Sequence, residues 1–117
     1  RIDLAMSAPR LIDVINLMEN NIEVPLSLPE IAKKCKLSLR QIERLFHKYR
    51  GLTPSQYYLS LRLMHAKQLL LNTNRSVIDI SVATGFETQS YFTACYRKHF
   101  GSSPRNHRSQ VATERKA

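Results

Sequence analysis

The stretch GFETQSYFTACYRKHFGSSPR, residues 85–105, combines a glycine, a run of small polar residues, several aromatic residues and a basic cluster. A looser copy lies about fifty residues earlier, because residues 28–54 align with residues 77–104. The offset is 49 residues in the first part and 50 in the second, so the second copy has one extra residue between them. The aligned pairs are Ile31 with Ile80, Leu37 with Phe86, Ile42 with Phe92, Phe46 with Tyr96, Lys48 with Lys98, Gly51 with Gly101 and Pro54 with Pro104.

Each copy has the pattern of a short helix, a tight turn and a longer helix that carries positive charge. This is the helix-turn-helix arrangement, in which the second helix enters the major groove of DNA. A single match is weak evidence, because any two short helices with a turn imitate it. Two matches in register are much stronger, and they predict a duplicated DNA-reading unit.

Apolar residues recur at helical spacing through almost the whole chain, and no strand-like alternation is found. We therefore predict an all-α fold with about seven helices. The predicted stripes use Leu11, Val14, Ile15 and Met18 after Pro9; Ile31 after a cap at Ser27; Ile42, Leu45, Phe46 and Tyr49 after Ser38; Tyr58, Leu59, Leu63, Ala66, Leu69 and Leu70 after Thr53; and Val77, Ile80, Val82 and Ala83 after Ser76.

The domain division follows from the two copies. We predict an N-terminal helix-turn-helix subdomain at 1–53 with a reading helix at about 39–50, and a linker helix at 54–72. A C-terminal subdomain is predicted at 73–109 with a reading helix at about 88–99, followed by a frayed tail at 110–117. A linker of about eighteen helical residues is roughly 27 Å long. This length suits two reading helices about one DNA turn, near 34 Å, apart.

The net charge is +9, and its distribution is uneven. Residues 1–37 hold five basic and five acidic side chains, whereas residues 38–117 hold thirteen and four. A charge excess confined to one region favours a polyanionic partner. Nucleic acid is the first candidate, and an anionic membrane surface is the weaker one.

Several function classes are disfavoured. No apolar run approaches the roughly 18 residues of a membrane span, and residues 1–20 do not resemble a signal peptide. Cys35 and Cys95 lie far apart without metal-ligand spacing, so we expect reduced thiols in a cytoplasmic protein. The four histidines are scattered and no catalytic motif is present, which argues against an enzyme; no cofactor or metal is predicted.

The segments RLMHAKQLL (62–70), SVIDISVATGF (76–86) and SYFTACYRKHFGSSPR (90–105) resemble the DNA-binding domain of AraC/XylS-type bacterial transcription regulators. The resemblance covers about residues 10–108. It implies a seven-helix fold of two subdomains that binds double-stranded promoter or operator DNA. Such domains are usually attached to an effector-binding or dimerisation domain, which we expect to be missing here, since the chain begins with Arg1 as a fragment would. LSLRQIERLFHKYRGLTPSQYYLSLRL (37–63) is similar to members whose N-terminal domain is amidotransferase-like.

In the first reading helix the apolar stripe predicts which side chains point outward, and Arg suits guanine, Gln suits adenine and Glu accepts from cytosine N4. The predicted base readers are Arg40, Gln41, Glu43, Arg44 and His47. The family's motif puts base contacts at the positions that match Arg40, Glu43 and Arg44. The alternative is that these are merely solvated helix charges.

In the second reading helix we expect Phe92, Cys95, Tyr96 and Phe100 to point inward. The sequence departs from the family at Ala94, where Arg or Lys is frequent, so weaker reading by hydrogen bonds, thymine methyl contacts and DNA shape is expected. The alternative for Tyr91 is a core position. The predicted base readers of this helix are Thr88, Gln89, Ser90, Tyr91 and Thr93.

Backbone phosphates are expected to be held by basic side chains that follow the reading positions, at Lys48, Arg50, Arg97, Lys98 and Arg105. The helix N-termini at Pro54 and Pro104 offer free N–H groups to phosphates as well. On the family pattern Arg62 lies partly buried and is expected to form a structural ion pair with Asp79 or Glu43.

Three other partners remain open at this stage. RNA is disfavoured because exposed aromatic platforms are absent. An anionic membrane is disfavoured because the apolar faces are used in the two small cores. A protein-interaction role, such as contact with RNA polymerase, is compatible with DNA binding, and a small-molecule effector is expected to act only through the missing domain.

Overall fold

A computed structural model describes residues 2–116 of the chain, with side chains for residues 9–115. Within these bounds it contains seven α-helices and no strand, so the all-α prediction is confirmed. The helices are α1 (Ile2–Glu19), α2 (Leu28–Cys35), α3 (Leu39–Arg50), α4 (Pro54–Asn72), α5 (Val77–Ala83), α6 (Gln89–Phe100) and α7 (Pro104–Lys116).

The chain divides into two compact units, one ending at Leu61 and the other beginning at Arg62. The boundary falls inside α4, so this helix ends the first unit and begins the second. The division into two subdomains and a separate linker helix stays a prediction.

The first unit has its core where α1, α2, α3 and the start of α4 meet. Three of the four residues in the predicted stripe of α3 are buried, with Ile42 1% and Phe46 0% exposed, and Tyr49 is half-buried. The Tyr58 hydroxyl joins two loop groups, since it donates to Asn21 O and accepts from Leu26 N. The other buried apolar residues of this core are Leu11, Val14, Ile15, Met18, Ile31, Ala32 and Leu45.

The core of the second unit contains a row of aromatic rings along α6. Phe92 lies 5.0 Å from Phe86 and 5.8 Å from Tyr96, measured between ring centroids. The Tyr96 hydroxyl pairs with His107 Nδ1 at 2.7 Å. Burial raises the pKa of Tyr96 to about 12, so the hydroxyl is neutral at physiological pH.

The buried face of α5 differs from the prediction. Val82 was expected in the stripe but is 57% exposed, because it lies two residues, about 200° around the helix, from the buried Ile80. Ser81 and Thr84 occupy the core face instead, at 2% and 0% exposure. Their hydroxyls donate to the carbonyls of Ile78 and Ile80, which removes the cost of burying a polar group.

Two helices are longer than expected. The prediction began the first helix after Pro9, whereas α1 begins at Ile2; Ala, Leu and Met, three strong helix formers, are frequent before Pro9. The segment expected to fray after residue 109 is helical to Lys116. Two arginines of α7 contact the end of α4. Arg108 donates to Leu70 O and Thr73 O, and Arg115 donates to Leu71 O. Two carbonyls in the last turn of α4, those of Leu70 and Leu71, thereby gain a partner.

The internal repeat is confirmed at the level of single hydrogen bonds. Leu37 N donates to Ala32 O at 2.9 Å, and Phe86 N donates to Ser81 O at 3.0 Å. Both donors and both acceptors are 49 residues apart. The two turns therefore have the same backbone closure.

The extra residue of the second copy lies between the turn and the reading helix. Ser38 caps α3 and Thr88 caps α6, and these two caps are 50 residues apart. The insertion is therefore Glu87, which follows Phe86. Both reading helices end at a left-handed glycine, Gly51 at φ 66° and Gly101 at φ 84°.

The duplication also includes the helix before each helix-turn-helix, which was not predicted. At an offset of 52 residues, α1 repeats in α4. Asn21 Nδ2 bonds Leu17 O near the end of α1, as Thr73 Oγ1 bonds Leu69 O at the end of α4. The buried pairs are Leu11 with Leu63, Val14 with Ala66 and Met18 with Leu70.

Gly101→Ala is expected to lower the free energy of unfolding by about 1 kcal/mol, because a Cβ disfavours the left-handed backbone. No atom lies within 4 Å of an added Cβ, so the backbone conformation alone causes the loss. Gly101→Asn should lose less, since Asn tolerates this conformation better. Urea denaturation measures both variants; equal losses would contradict the explanation.

Candidate nucleic-acid interface

The first reading helix, α3, begins with a complete capping box. Ser38 Oγ accepts from Gln41 N at 3.1 Å, and Gln41 Oε1 accepts from Ser38 N at 2.8 Å. The box fixes the first turn of the helix, where side chains of a reading helix contact base edges. It also occupies the oxygen that Gln41 needs for paired hydrogen bonds to adenine, so in this state only its amide nitrogen is available.

Two rows of side chains cover the exposed face of α3. Arg40 and Arg44 are four residues apart and form one row, and Glu43 and His47 lie on the next. All four are exposed. None makes a side-chain hydrogen bond or ion pair within residues 9–115. These charges are therefore not committed to holding the fold together.

Leu39 belongs to the same surface and was missed in the sequence analysis. It is the first residue of α3 and is 45% exposed, although leucine usually lies inside. Helical spacing indicated this position, because Leu39 lies four residues before the exposed Glu43 and therefore on the same row of the helix. Its side chain can contact a thymine methyl group.

The second reading helix, α6, has a simpler cap. Thr88 Oγ1 accepts from Tyr91 N at 3.1 Å, so this predicted base reader is also the N-cap. Gln89 and Ser90 are exposed, Thr93 is half-buried, and Ala94 is exposed. The first two turns of α6 carry no charged side chain.

Tyr91 lies on the surface rather than in the core, with 56% of its area exposed. Its ring packs against Phe86 at a centroid distance of 5.9 Å. A hydrogen bond with Cys95 is the main cause that raises the pKa of Tyr91 above its ordinary value. More than half of Tyr91 is therefore open to a partner.

The five predicted phosphate ligands are exposed and follow the reading positions. Lys48 and Arg50 lie beside aromatic rings, 5.5 Å from the Tyr49 centroid and 5.9 Å from the Tyr57 centroid. Arg50 also donates to Tyr49 O at 3.2 Å. The others, on α6 and α7, make no side-chain hydrogen bond or ion pair among the described side chains: Arg97, Lys98 and Arg105.

Arg62 is half-buried and contacts the turn before α6. Its Nε donates to Thr84 O at 2.8 Å and its Nη2 to Gly85 O at 2.7 Å. The guanidinium lies 4.2 Å from the centroid of the Phe86 ring. The structural role expected of Arg62 is confirmed by these contacts, and the ion pair with Asp79 or Glu43 stays a prediction.

Two other kinds of site are not found in the described part of the chain. None of its helices is long and apolar enough to cross a bilayer. No group of three or more His, Cys, Asp or Glu side chains is placed there to hold a metal ion.

Comparison with known proteins identifies the fold and the family. A family model described as a helix-turn-helix domain matches residues 31–110. An AraC-type, DNA-binding-domain-containing transcriptional regulator from Chromobacterium violaceum is 48% identical, with a TM-score of 0.86 over 92% of this chain and 96% of that one. The DNA-binding domain of AdpA, solved in complex with a target DNA, shares the fold with a TM-score of 0.84 at 24% identity, over 90% of this chain and 95% of that one.

Among full-length relatives, the transcriptional regulator GbdR of Pseudomonas aeruginosa is 45% identical over 105 residues. The match covers 90% of this chain and 29% of GbdR, so the chain spans less than a third of that relative. The duplicated helix-turn-helix units and these similarities lead to one conclusion: the chain belongs to the DNA-binding domains of AraC-type transcription regulators.

Proposed function

We propose that this domain binds double-stranded DNA sequence-specifically by placing α3 and α6 in successive major-groove segments, and that α3 does most of the base discrimination. The observation that carries the proposal is the exposed face of α3. Charged side chains with no partner in the described fold stand on the first two turns of a helix whose N-terminus is rigidly capped.

The chemistry of α3 suits discrimination between base pairs. Arg40 and Arg44 can each donate two hydrogen bonds to guanine O6 and N7. Glu43, on the neighbouring row, repels phosphate but accepts a hydrogen bond from cytosine N4, so it favours selection between sequences over raw affinity. Leu39 adds an apolar contact, Gln41 offers its amide nitrogen from the first turn, and His47 lies at the C-terminal end of this surface.

The chemistry of α6 suits weaker discrimination. Gln89 is its one side chain with paired donor and acceptor groups, and Thr88, Ser90 and Thr93 add hydroxyls. Tyr91 offers a ring edge to thymine methyls. At Ala94 no side chain reaches into the groove, so this half depends more on the shape of the DNA.

The affinity of the domain for DNA is proposed to come mainly from contacts between its basic side chains and backbone phosphates. Lys48, Arg50, Arg97, Lys98 and Arg105 are proposed to contact the backbone on either side of the two grooves. Each contact displaces bound counterions, so binding should weaken steeply as the salt concentration rises. The first turns of α4 and α7 add the backbone N–H groups of Ser55 and Arg105.

The parent protein is proposed to be a cytoplasmic regulator that brings this domain to promoter DNA. A small-molecule effector would act through a domain outside this chain, whose amidotransferase-like character is a further prediction. Contact with RNA polymerase belongs to the same proposal, and no catalytic step is assigned to this domain.

The proposal is tested by measuring binding to duplex DNA, single-stranded RNA and anionic vesicles over a salt series. A clear preference for duplex DNA at moderate salt is expected. Selection of preferred sites from random duplexes then identifies the target sequence. Equal binding to all three polyanions would contradict the proposal.

Arg44→Ala is expected to relax base preference at one position of the selected site, with a loss of roughly tenfold for that site, because a bidentate base contact contributes about 1–3 kcal/mol of discrimination. Binding to unrelated duplexes should change little. Fluorescence anisotropy on the selected duplex and its single-base variants measures the effect.

Lys98→Ala serves as the matched comparison, since it also removes one positive charge. It should weaken all duplexes alike and reduce the dependence of log K on log salt by about one. If both variants produce the same uniform loss, the division between base readers and phosphate ligands is wrong.

Ala94→Arg is expected to add a guanine contact to the second half of the site, raising affinity roughly tenfold for duplexes with guanine at one position there. Ala94→Glu is the control, with a charge of opposite sign at the same place, and it should weaken binding. Site selection with both variants checks this. A rise of equal size for every duplex would show that Ala94 faces phosphate rather than bases.

A further inference from the structure

Each turn before a reading helix is contacted by an arginine from the helix that begins the same unit. In the first unit, Arg10 Nη2 donates to Cys35 O and Lys36 O, both at 3.2 Å. In the second, Arg62 bonds Thr84 O and Gly85 O. The acceptors are 49 residues apart, the offset that relates the two turns, and the donors are 52 apart, the offset that relates α1 to α4. The two contacts are therefore equivalent in the duplicated structure.

The accepting carbonyls need such a donor. They lie at the C-terminal ends of α2 and α5, where backbone carbonyls have no partner within the helix. A guanidinium supplies hydrogen bonds there, and its charge interacts favourably with the negative end of the helix dipole. Both turns also contain a left-handed residue, Lys36 at φ 56° and Gly85 at φ 81°, so the arginine supports a backbone that most residues avoid.

The second contact reaches further into the reading surface. Arg62 stacks on Phe86, and the Phe86 ring packs against Tyr91 and Phe92 on α6. Arg62 therefore contacts both the backbone of the turn and the Phe86 ring, against which the exposed Tyr91 of α6 packs. Among the described side chains, Arg10 has no such ring contact, and its two hydrogen bonds to the turn are longer.

We propose that Arg10 and Arg62 are positioning residues for DNA reading: each fixes the angle at which its reading helix leaves the turn, Arg10 for α3 and Arg62 for α6. The inference rests on the proposed function. Hydrogen bonds to bases weaken steeply with misalignment, so a small change of angle loses base preference before it loses contact with phosphates.

The test compares Arg10→Met, Arg62→Met and Arg62→Lys in the same domain, each arginine serving as the control for the other. The base positions that respond to Arg44→Ala define the half of the site read by α3. Those that respond to Ala94→Arg define the half read by α6. Binding to the selected duplex, its single-base variants and one unrelated duplex is then measured for every variant.

Arg62→Met is expected to reduce base preference in the α6 half of the site roughly tenfold and to change base preference in the α3 half less than about twofold. Its affinity for the unrelated duplex should change little. Arg10→Met should show the reverse pattern. Arg62→Lys should recover part of the preference, because an ammonium reaches one carbonyl but cannot hold two or stack in the same way.

A purely structural role would lower the base preference in both halves of the site together with the melting temperature, and that result would overturn the proposal. An unchanged base preference in the α6 half would overturn it as well. A wild-type domain with no preferred sequence would overturn the proposed function instead.

Amide hydrogen exchange without DNA gives a second readout. In Arg62→Met the amides of residues 84–88 should exchange roughly tenfold faster while those of α7 stay as in the wild type. Unchanged exchange in the turn would overturn the positioning role independently of any DNA result.

Discussion

The structure depends on one backbone feature that occurs twice, the closure of the turn between a short helix and a reading helix. The N–H of Leu37 bonds Ala32 O, and the N–H of Phe86 bonds Ser81 O. Each closure forces one residue of the turn into the left-handed region and sends the apolar side chain after it into the core. The following helix then starts at a capped residue with its charged or hydroxylated face outward. The turn therefore sets the direction in which each side chain on the outward face of the reading helix points.

The two copies keep the same frame but differ in what they display. The first presents arginines and a glutamate with no partner in the described fold, and the second presents hydroxyls, one glutamine, one tyrosine ring and an alanine. In the proposed function, the first copy supplies most of the base discrimination, while the second adds contacts and a preference for DNA shape.

Much of the fold was predictable, because local signals agreed with the core. The capping box of Ser27 and Glu30, the buried set of α3 and the glycines that end both reading helices follow from spacing alone. The prediction was wrong at Val82 because α5 is too short for apolar spacing to reveal its face, and the buried hydroxyls of Ser81 and Thr84 look polar in sequence. It missed Leu39 because an exposed leucine contradicts the usual rule.

The sequence by itself determined the duplication, the helical class and the face of each reading helix, since these depend on periodicity within a helix or on residues a few positions apart. Only the tertiary structure decided how far the repeat extends and that Arg10 and Arg62 hold equivalent turns. Those features join residues more than twenty positions apart. No local pattern specifies such pairs, because they exist only once the helices have packed.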